Sequence, residues 1–369
     1  MADMRIEKLA DLLINYSTAV RKGDRVVVQS STLAEPLLKE LYKKILQAGG
    51  HPFMMNSLPD IEEIYFKYAT DEQIKYIPKP TELIYETYDV RISIIAESNT
   101  RALANVDPAK TVMQQQARAG LMKTFMRRSA AGELRWVVAP YPTHALAQDA
   151  DMGLLEYEDF VYQACLPDLK DPVGYWTDFS HRQQAVITWL KGKKEVHVTG
   201  PGTDLRLNVA GRIFENCDGR LNLPDGEIFT GPVESSVEGH VYFSYPAIYN
   251  GREVDGVRLW FENGKVVKAT AEKNEEFLNK TLDTDAGSRY VGEFAIGTNE
   301  GITRFTREIL FDEKIGGSFH MALGAGYPET GSINESAIHW DMICDLRKGG
   351  EIRVDGDLLY RNGKFVIGY

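Results

Sequence analysis

The chain has 369 residues, of which 43% are hydrophobic and 26% charged, and a formal net charge of −11. That length favours two domains over a single core, and the apolar content is that of an ordinary soluble globular protein. The acidic balance argues against nucleic acid as a main partner, and no run approaches the roughly 20 apolar residues that span a membrane.

The first segment, MADMRIEKLADLLINYS, mixes acidic and basic residues and lacks the apolar stretch of a secretory signal. Arg5 to Ser17 places Leu9, Leu12, Leu13 and Tyr16 on one helical face. A turn at Lys22–Asp24 leads into a strand, Arg25–Gln29. A helix from about Leu33 to Gln47 follows, with Leu37, Leu38, Leu41, Ile45 and Leu46 inward and Gly49 and Gly50 as its stop. Strands are expected near Pro52, at Val90–Ile95 and at Trp136–Ala139. This alternation predicts an α/β domain with a mostly parallel sheet over residues 1–186. The helical region from Pro172 to Lys194 holds the junction.

Beyond Glu195 the runs shorten and alternate. VHVTGPGTDLRLNV, GVRLWFENGKVVKATA and Leu358–Ile367 read as hairpins, the last two turning at Asn263-Gly264 and Asn362-Gly363. Helices are expected at Asn274–Lys280 and Thr303–Leu310. Residues 187–369 therefore form a C-terminal α+β domain rich in antiparallel strands, expected to be catalytic.

Five residues of that domain stand out. Glu227, Glu293, His320, His339 and Asp341 lie in the apolar segments PDGEIFTGP, VGEFAIG, SFHMALG and AIHWDM. Burying such groups without partners is costly, and a pair of divalent metal ions would satisfy all five. Carboxylate oxygen and imidazole nitrogen suit zinc and similar ions. In a strand, residues two apart share a face, so His339 and Asp341 form a chelating pair while Ile338, Trp340 and Met342 point away. Read singly, each residue is ordinary: a strand-end Glu, a core His, a chance HxD pair. Their combination within one domain carries the signal.

Other motifs read as structure. TGPGTD lacks the following helix and GK[ST] ending of a phosphate loop, so it is a hairpin turn. Asp24 and Asp60 read as solvated turn or cap residues, and Met122–Ser129 as a solvated helix face. No G-x-S-x-G elbow is present. Cys165, Cys217 and Cys344 are odd in number and have no CxxC spacing. They point to a reducing compartment, and the expected location is cytoplasmic.

At these segments the chain resembles the M29 family of metalloaminopeptidases, the aminopeptidase T or thermophilic aminopeptidase family. The motifs LADLLINYSTAVRKGDRVVVQSS, TGPGTDLRLNVAGR, NLPDGEIFTGPVESSVEG, YVGEFAIGTN, SFHMALGAGY and SAIHWDMICDL occur in the family's order. The resemblance implies the same five metal ligands and adds Tyr327 as a catalytic residue. It implies a metalloaminopeptidase with a dinuclear site of zinc, cobalt or manganese, and short peptides as substrates. It also implies a homodimer with an enclosed cavity. The 328–338 loop looks shorter than is typical of the family.

The expected roles are Glu227 as bridging carboxylate, Glu293 as ligand and proton acceptor, and Tyr327 as donor to the oxyanion. Glu234 and Glu238 are candidates for the substrate α-amine. Two other readings are a two-metal phosphoesterase and a metal- or peptide-binding protein without turnover.

Overall fold

The structure is a computed structural model that describes residues 3–367. The chain divides into two compact units, Met1–Tyr175 with Gly219–Pro224, and Trp176–Asp218 with Asp225–Tyr369. The division falls inside the helix Pro172–Leu190.

The first unit is built on four parallel strands: β1 (Arg25–Ser31), β2 (His51–Ser57), β3 (Val90–Ile95) and β4 (Arg135–Pro140). Their order is β2-β1-β3-β4. Val26, Val27 and Val28 are all buried, the continuous apolar run of a strand covered on both faces. The helix Glu35–Gln47 buries Leu37, Leu38, Leu41 and Ile45. Leu46 is 54% exposed, because it falls one position off that stripe. The segment Gly219–Pro224 joins this unit by bonding Val138 on either side, through Leu221 and Leu223.

Two readings of this unit need correction. Met122–Ser129 lies in the helix Pro108–Ala130, yet Phe125 and Arg128 are buried. Arg128 donates to the carbonyls of Tyr85 and Tyr88 at 3.0 and 2.8 Å. Asp24 accepts from the Arg21 amide and from Arg135 Nη2, both at 2.6 Å. Arg128 is therefore an internal fastening, while Asp24 is the expected turn residue, half-buried against Arg135 rather than solvated.

The second unit is a sandwich of antiparallel sheets. Its strands are β5 (Glu195–Gly200), β6 (Thr203–Asn208), β7 (Glu215–Cys217), β8 (Glu227–Thr230), β9 (Glu238–Tyr242), β10 (Ala247–Tyr249), β11 (Arg252–Val254), β12 (Arg258–Glu262) and β13 (Lys265–Thr270). They continue with β14 (Val291–Gly297), β15 (Ser318–Gly324), β16 (His339–Asp345), β17 (Glu351–Val354), β18 (Asp357–Arg361) and β19 (Lys364–Phe365). Strands β10 and β11 pair as a separate two-stranded ribbon. One sheet has the order β13-β12-β9-β6-β5-β17-β18-β19 and the other, smaller one β16-β15-β14-β8-β7. Alternate residues of both enter one core: Val198, Leu205 and Leu259 from the larger sheet, and Ile296, Met321 and Met342 from the smaller.

The expected hairpins form. Asn263 and Gly264 have φ of 50° and 80°, as do Asn362 and Gly363, the double positive φ of a two-residue hairpin loop. The helix expected at Asn274–Lys280 runs Glu275–Leu282. The one expected at Thr303–Leu310 does not form. Arg307 has φ 64°, and only a short turn, Ile309–Asp312, is helical. The Asp312 carboxylate accepts from the Thr306 amide and hydroxyl at 2.6 and 3.0 Å, holding this segment irregular. Among the described residues no helix is long and apolar enough to cross a membrane.

Candidate metal centre

The five polar residues singled out above stand on the smaller sheet, and its register puts them on one face. Gly297 pairs with Glu227, and Ala295 with His320. Ala322 lies between Glu293 and Asp341, and Gly324 opposite His339. Directly opposed residues share a face. Every one of the five therefore has a glycine or alanine beside it on one flank, leaving room above the sheet. The intervening residues Ile228, Phe294, Met321, Trp340 and Met342 enter the core.

Glu293 reaches this face through a bulge. Val291 pairs with Leu323 and Glu293 with Ala322, so Gly292 is an extra residue. Val291 then points into the core and Glu293, two residues on, points out of it. A Cβ at Gly292 would lie 2.3 Å from the Ala325 carbonyl oxygen and 2.4 Å from that of Gly324, so the bulge needs glycine.

The side chains converge. His320 Nε2 lies 3.3 Å from Glu227 Oε2 and 3.3 Å from Glu293 Oε1. His339 Nε2 lies 3.4 Å from Glu293 Oε2 and 3.5 Å from Asp341 Oδ1. Two ligand groups result, Glu227–Glu293–His320 and Glu293–His339–Asp341. Glu293 is common to both, one oxygen facing each histidine. Glu227, Glu293 and His320 are buried, and the His339 side chain is 29% exposed.

Glu227 Oε2, Asp341 Oδ1 and His320 Nδ1 are buried without a hydrogen bond. Orphaned acceptors of this kind are rare in folded proteins. A carboxylate and imidazole donor set with unmet acceptors suits a divalent cation. His339 Nδ1 lies 2.8 Å from the Ala325 carbonyl. Donating there fixes the ring and leaves Nε2 aimed at the carboxylates, the usual outer support of a ligating histidine.

The electrostatics without ions agree. Burial pushes Glu227 up to about 8, helped by the charges of Glu313 and Glu293 against those of Lys314 and His320. Burial also opposes the charged forms of the other three, but is outweighed. Hydrogen bonds with His320 and His339 bring Glu293 down to about 2. Glu293 and Glu227 raise His320 to about 9, and Asp341 and Glu293 raise His339 to about 11. Protons thus compensate the cluster where cations otherwise would.

Tyr327 is 39% exposed. Its ring meets Phe229 edge-on at 5.3 Å and His339 at 5.2 Å. Burial and the nearby Glu293 and Asp341 push its phenol above the ordinary value, so it stays a neutral donor.

Glu234 and Glu238 are engaged elsewhere, which corrects their candidacy for the α-amine. Glu234 pairs with Arg212 at 2.6 Å and accepts from the Ile333 amide at 2.8 Å. Glu238 is exposed and accepts from the Asn263 amide. Sequence reasoning missed Glu313 and Lys314. Lys314 is fully buried, 3.7 Å from Glu227 Oε1 and ion-paired with Glu313. Glu313 forms a further ligand group with His320 and Asp341. The available signal was the charged DEK embedded in FDEKIGGSFHM just before His320.

The family described as thermophilic metalloprotease (M29) matches residues 2–365. Aminopeptidase T of Thermus thermophilus is 28% identical over 97% of this chain and 95% of its own. Aminopeptidase 2 of Geobacillus stearothermophilus is 26% identical over 99% and 98%. The solved structure of wild-type AmpT from Thermus thermophilus has a TM-score of 0.85 at 25% identity, covering 98% of this chain and 99% of that one. A 2,5-dihydroxypyridine dioxygenase of Pseudomonas putida shares the fold alone, with a TM-score of 0.63 at 14% identity over 98% and 97%. The fold therefore does not settle the chemistry, and the site must.

Proposed function

The chain belongs to the thermophilic metalloprotease (M29) family, and from that premise we propose that it is a metal-dependent aminopeptidase releasing N-terminal residues through a two-ion site. The observation that carries this reading is Glu293, shared by two ligand groups with one carboxylate oxygen toward each histidine. Glu227 and His320 would hold one divalent ion, His339 and Asp341 the other, and Glu293 both. The arrangement favours Glu293 over Glu227 as the bridge. Zinc, cobalt or manganese suits this donor set. When bound, such ions supply Lewis acidity, making water a nucleophile near neutral pH and polarising the scissile carbonyl.

The protein's own groups do the remainder. Glu313, the carboxylate at the face that neither ion needs, would take the proton released as water attacks and pass it to the leaving amine, whereas Glu293, with one oxygen toward each ion, is too weak a base for that role. Tyr327, a neutral phenol against His339, donates to the developing oxyanion. Lys314 is held by Glu227 and Glu313, so it is not offered to a phosphate, which weighs against phosphoesterase chemistry. Aminopeptidase names among the relatives support peptide substrates, and we assign short peptides or unfolded N-termini. Three free cysteines fit a cytoplasmic enzyme, for which we propose a homodimer.

The test is hydrolysis of an amino-acid anilide beside a phenyl phosphate, before and after chelation and on adding back zinc, cobalt or manganese. The reading requires anilide turnover that chelation removes and an added ion restores. Phosphate-ester turnover alone would replace it with the phosphoesterase.

A further inference from the structure

The ligand-bearing face of the smaller sheet has a distinct side-chain pattern. Its non-ligand positions between the strands are mostly small: Ala295, Gly297, Ala322 and Gly324. Two large apolar residues share this face, Phe229 and Ile343. Ile343 opposes His320 and is buried. Phe229 follows Glu227 by two positions on β8, is opposed by Ala295 on β14 and by Glu215 on β7, and is only half-buried. Its ring is met edge-on by Tyr327, whose ring in turn meets His339. Phe229, Tyr327 and His339 thus form a continuous aromatic wall from β8 to β16, beside the carboxylates.

Alternation along a strand separates Phe229 from Glu227 by about 7 Å. A peptide whose first carbonyl lies at the carboxylate cluster has the side chain of that same residue within this reach. On the β14 flank, toward the ligands, the small Ala295 opposite Phe229 leaves the space such a side chain needs. A ring left partly exposed next to a charged cluster is otherwise an unfavourable place for apolar surface.

We propose that Phe229 is a specificity-determining residue, the wall against which the apolar side chain of the substrate's N-terminal residue packs. This rests on the aminopeptidase reading. Phe229 then selects leucine-like over alanine-like N-termini, while the ion ligands act on both alike. A hydrophobic wall discriminates by the apolar area it covers, and losing it costs roughly 10-fold or more between such substrates.

The experiment compares kcat/KM for leucine and alanine anilides in wild type, Phe229→Ala and Phe229→Leu, with bound ion counted in each. The leucine-to-alanine ratio should fall about 10-fold or more in Phe229→Ala and stay near the wild-type ratio in Phe229→Leu, with ion content unchanged in both. Phe229→Leu keeps an apolar filler and reads the ratio even where the alanine variant folds poorly: a ratio that collapses equally in both variants overturns the assignment. So does an equal loss on both substrates, which marks a ring that only supports Tyr327. Wild-type protein that binds ions but cleaves neither anilide contradicts the aminopeptidase reading itself, and this assignment with it.

Discussion

Val291 and Glu293, two residues apart in one strand, point to opposite sides of their sheet. Strand alternation alone would give them the same side. The extra residue Gly292 separates them, sending Val291 into the core and Glu293 among the histidines. A side chain at position 292 would meet two carbonyl oxygens at 2.3 and 2.4 Å. Gly292→Ala should therefore destabilise the protein by about 2 kcal/mol and weaken ion binding. Denaturant unfolding and ion titration of the same variant check both effects. Unchanged values in both would remove the bulge from the account.

The shared position of Glu293 predicts an asymmetry among variants. Glu293→Gln should weaken both ions, by at least roughly 10-fold each. His339→Ala should weaken only one ion, and Glu227→Gln only the other. Calorimetric titration of the chelated protein resolves the two binding events. Equal effects of all three substitutions would indicate a single ion.

Much of this was legible in the chain. HxD in a strand, and Glu or His inside apolar runs, mark candidate ligands because burial of such groups needs compensation. The Asn-Gly turns mark hairpins because both positions require positive φ. What stayed hidden was non-local or small in scale. A one-residue bulge at Gly292 changes the facing of Glu293 without disturbing the apolar pattern. Glu313 and Lys314, outside any strand pattern, show their place only when the fold brings Lys314 against Glu227. Thr303–Leu310 has helix-like spacing, but Asp312 offers its backbone a better partner than a helical carbonyl. Arg128 reads as a surface charge because the carbonyls of Tyr85 and Tyr88 that receive it are about 40 residues away in sequence.

The loop between Tyr327 and His339 is tied down rather than free. Asp285 accepts from the Ala337 amide at 2.7 Å and from the Ser336 and Ser288 hydroxyls. These bonds, led by the Ala337 amide, bring its carboxyl from 3.8 to about 2. A carboxyl lowered on folding contributes stability that is fully present above 3.8 and lost as pH falls through about 2. The stability difference between wild type and Asp285→Asn should be constant near neutrality and shrink on acidification across that window. Urea unfolding of both proteins over a pH series measures it. A difference that grows in acid would contradict the anchoring role.

Glu234 ties the other end of that loop, through the Ile333 amide and the Ser332 hydroxyl, and neutralises Arg212. Glu234→Ala should cost about 2 kcal/mol and speed hydrogen exchange at the Ile333 amide. Its KM for an anilide should change less than its stability, because the carboxylate is bound to the loop and not offered to a substrate amine. A large KM effect with unaltered exchange would return Glu234 to the substrate site.

The proposed centre has two ions flanking one carboxylate. Anomalous diffraction from crystals grown with zinc or cobalt tests it most directly. Two peaks are expected, one beside Glu227 and His320 and one beside His339 and Asp341, with Glu293 between them. A single peak, or ions bound away from Glu293, would contradict it.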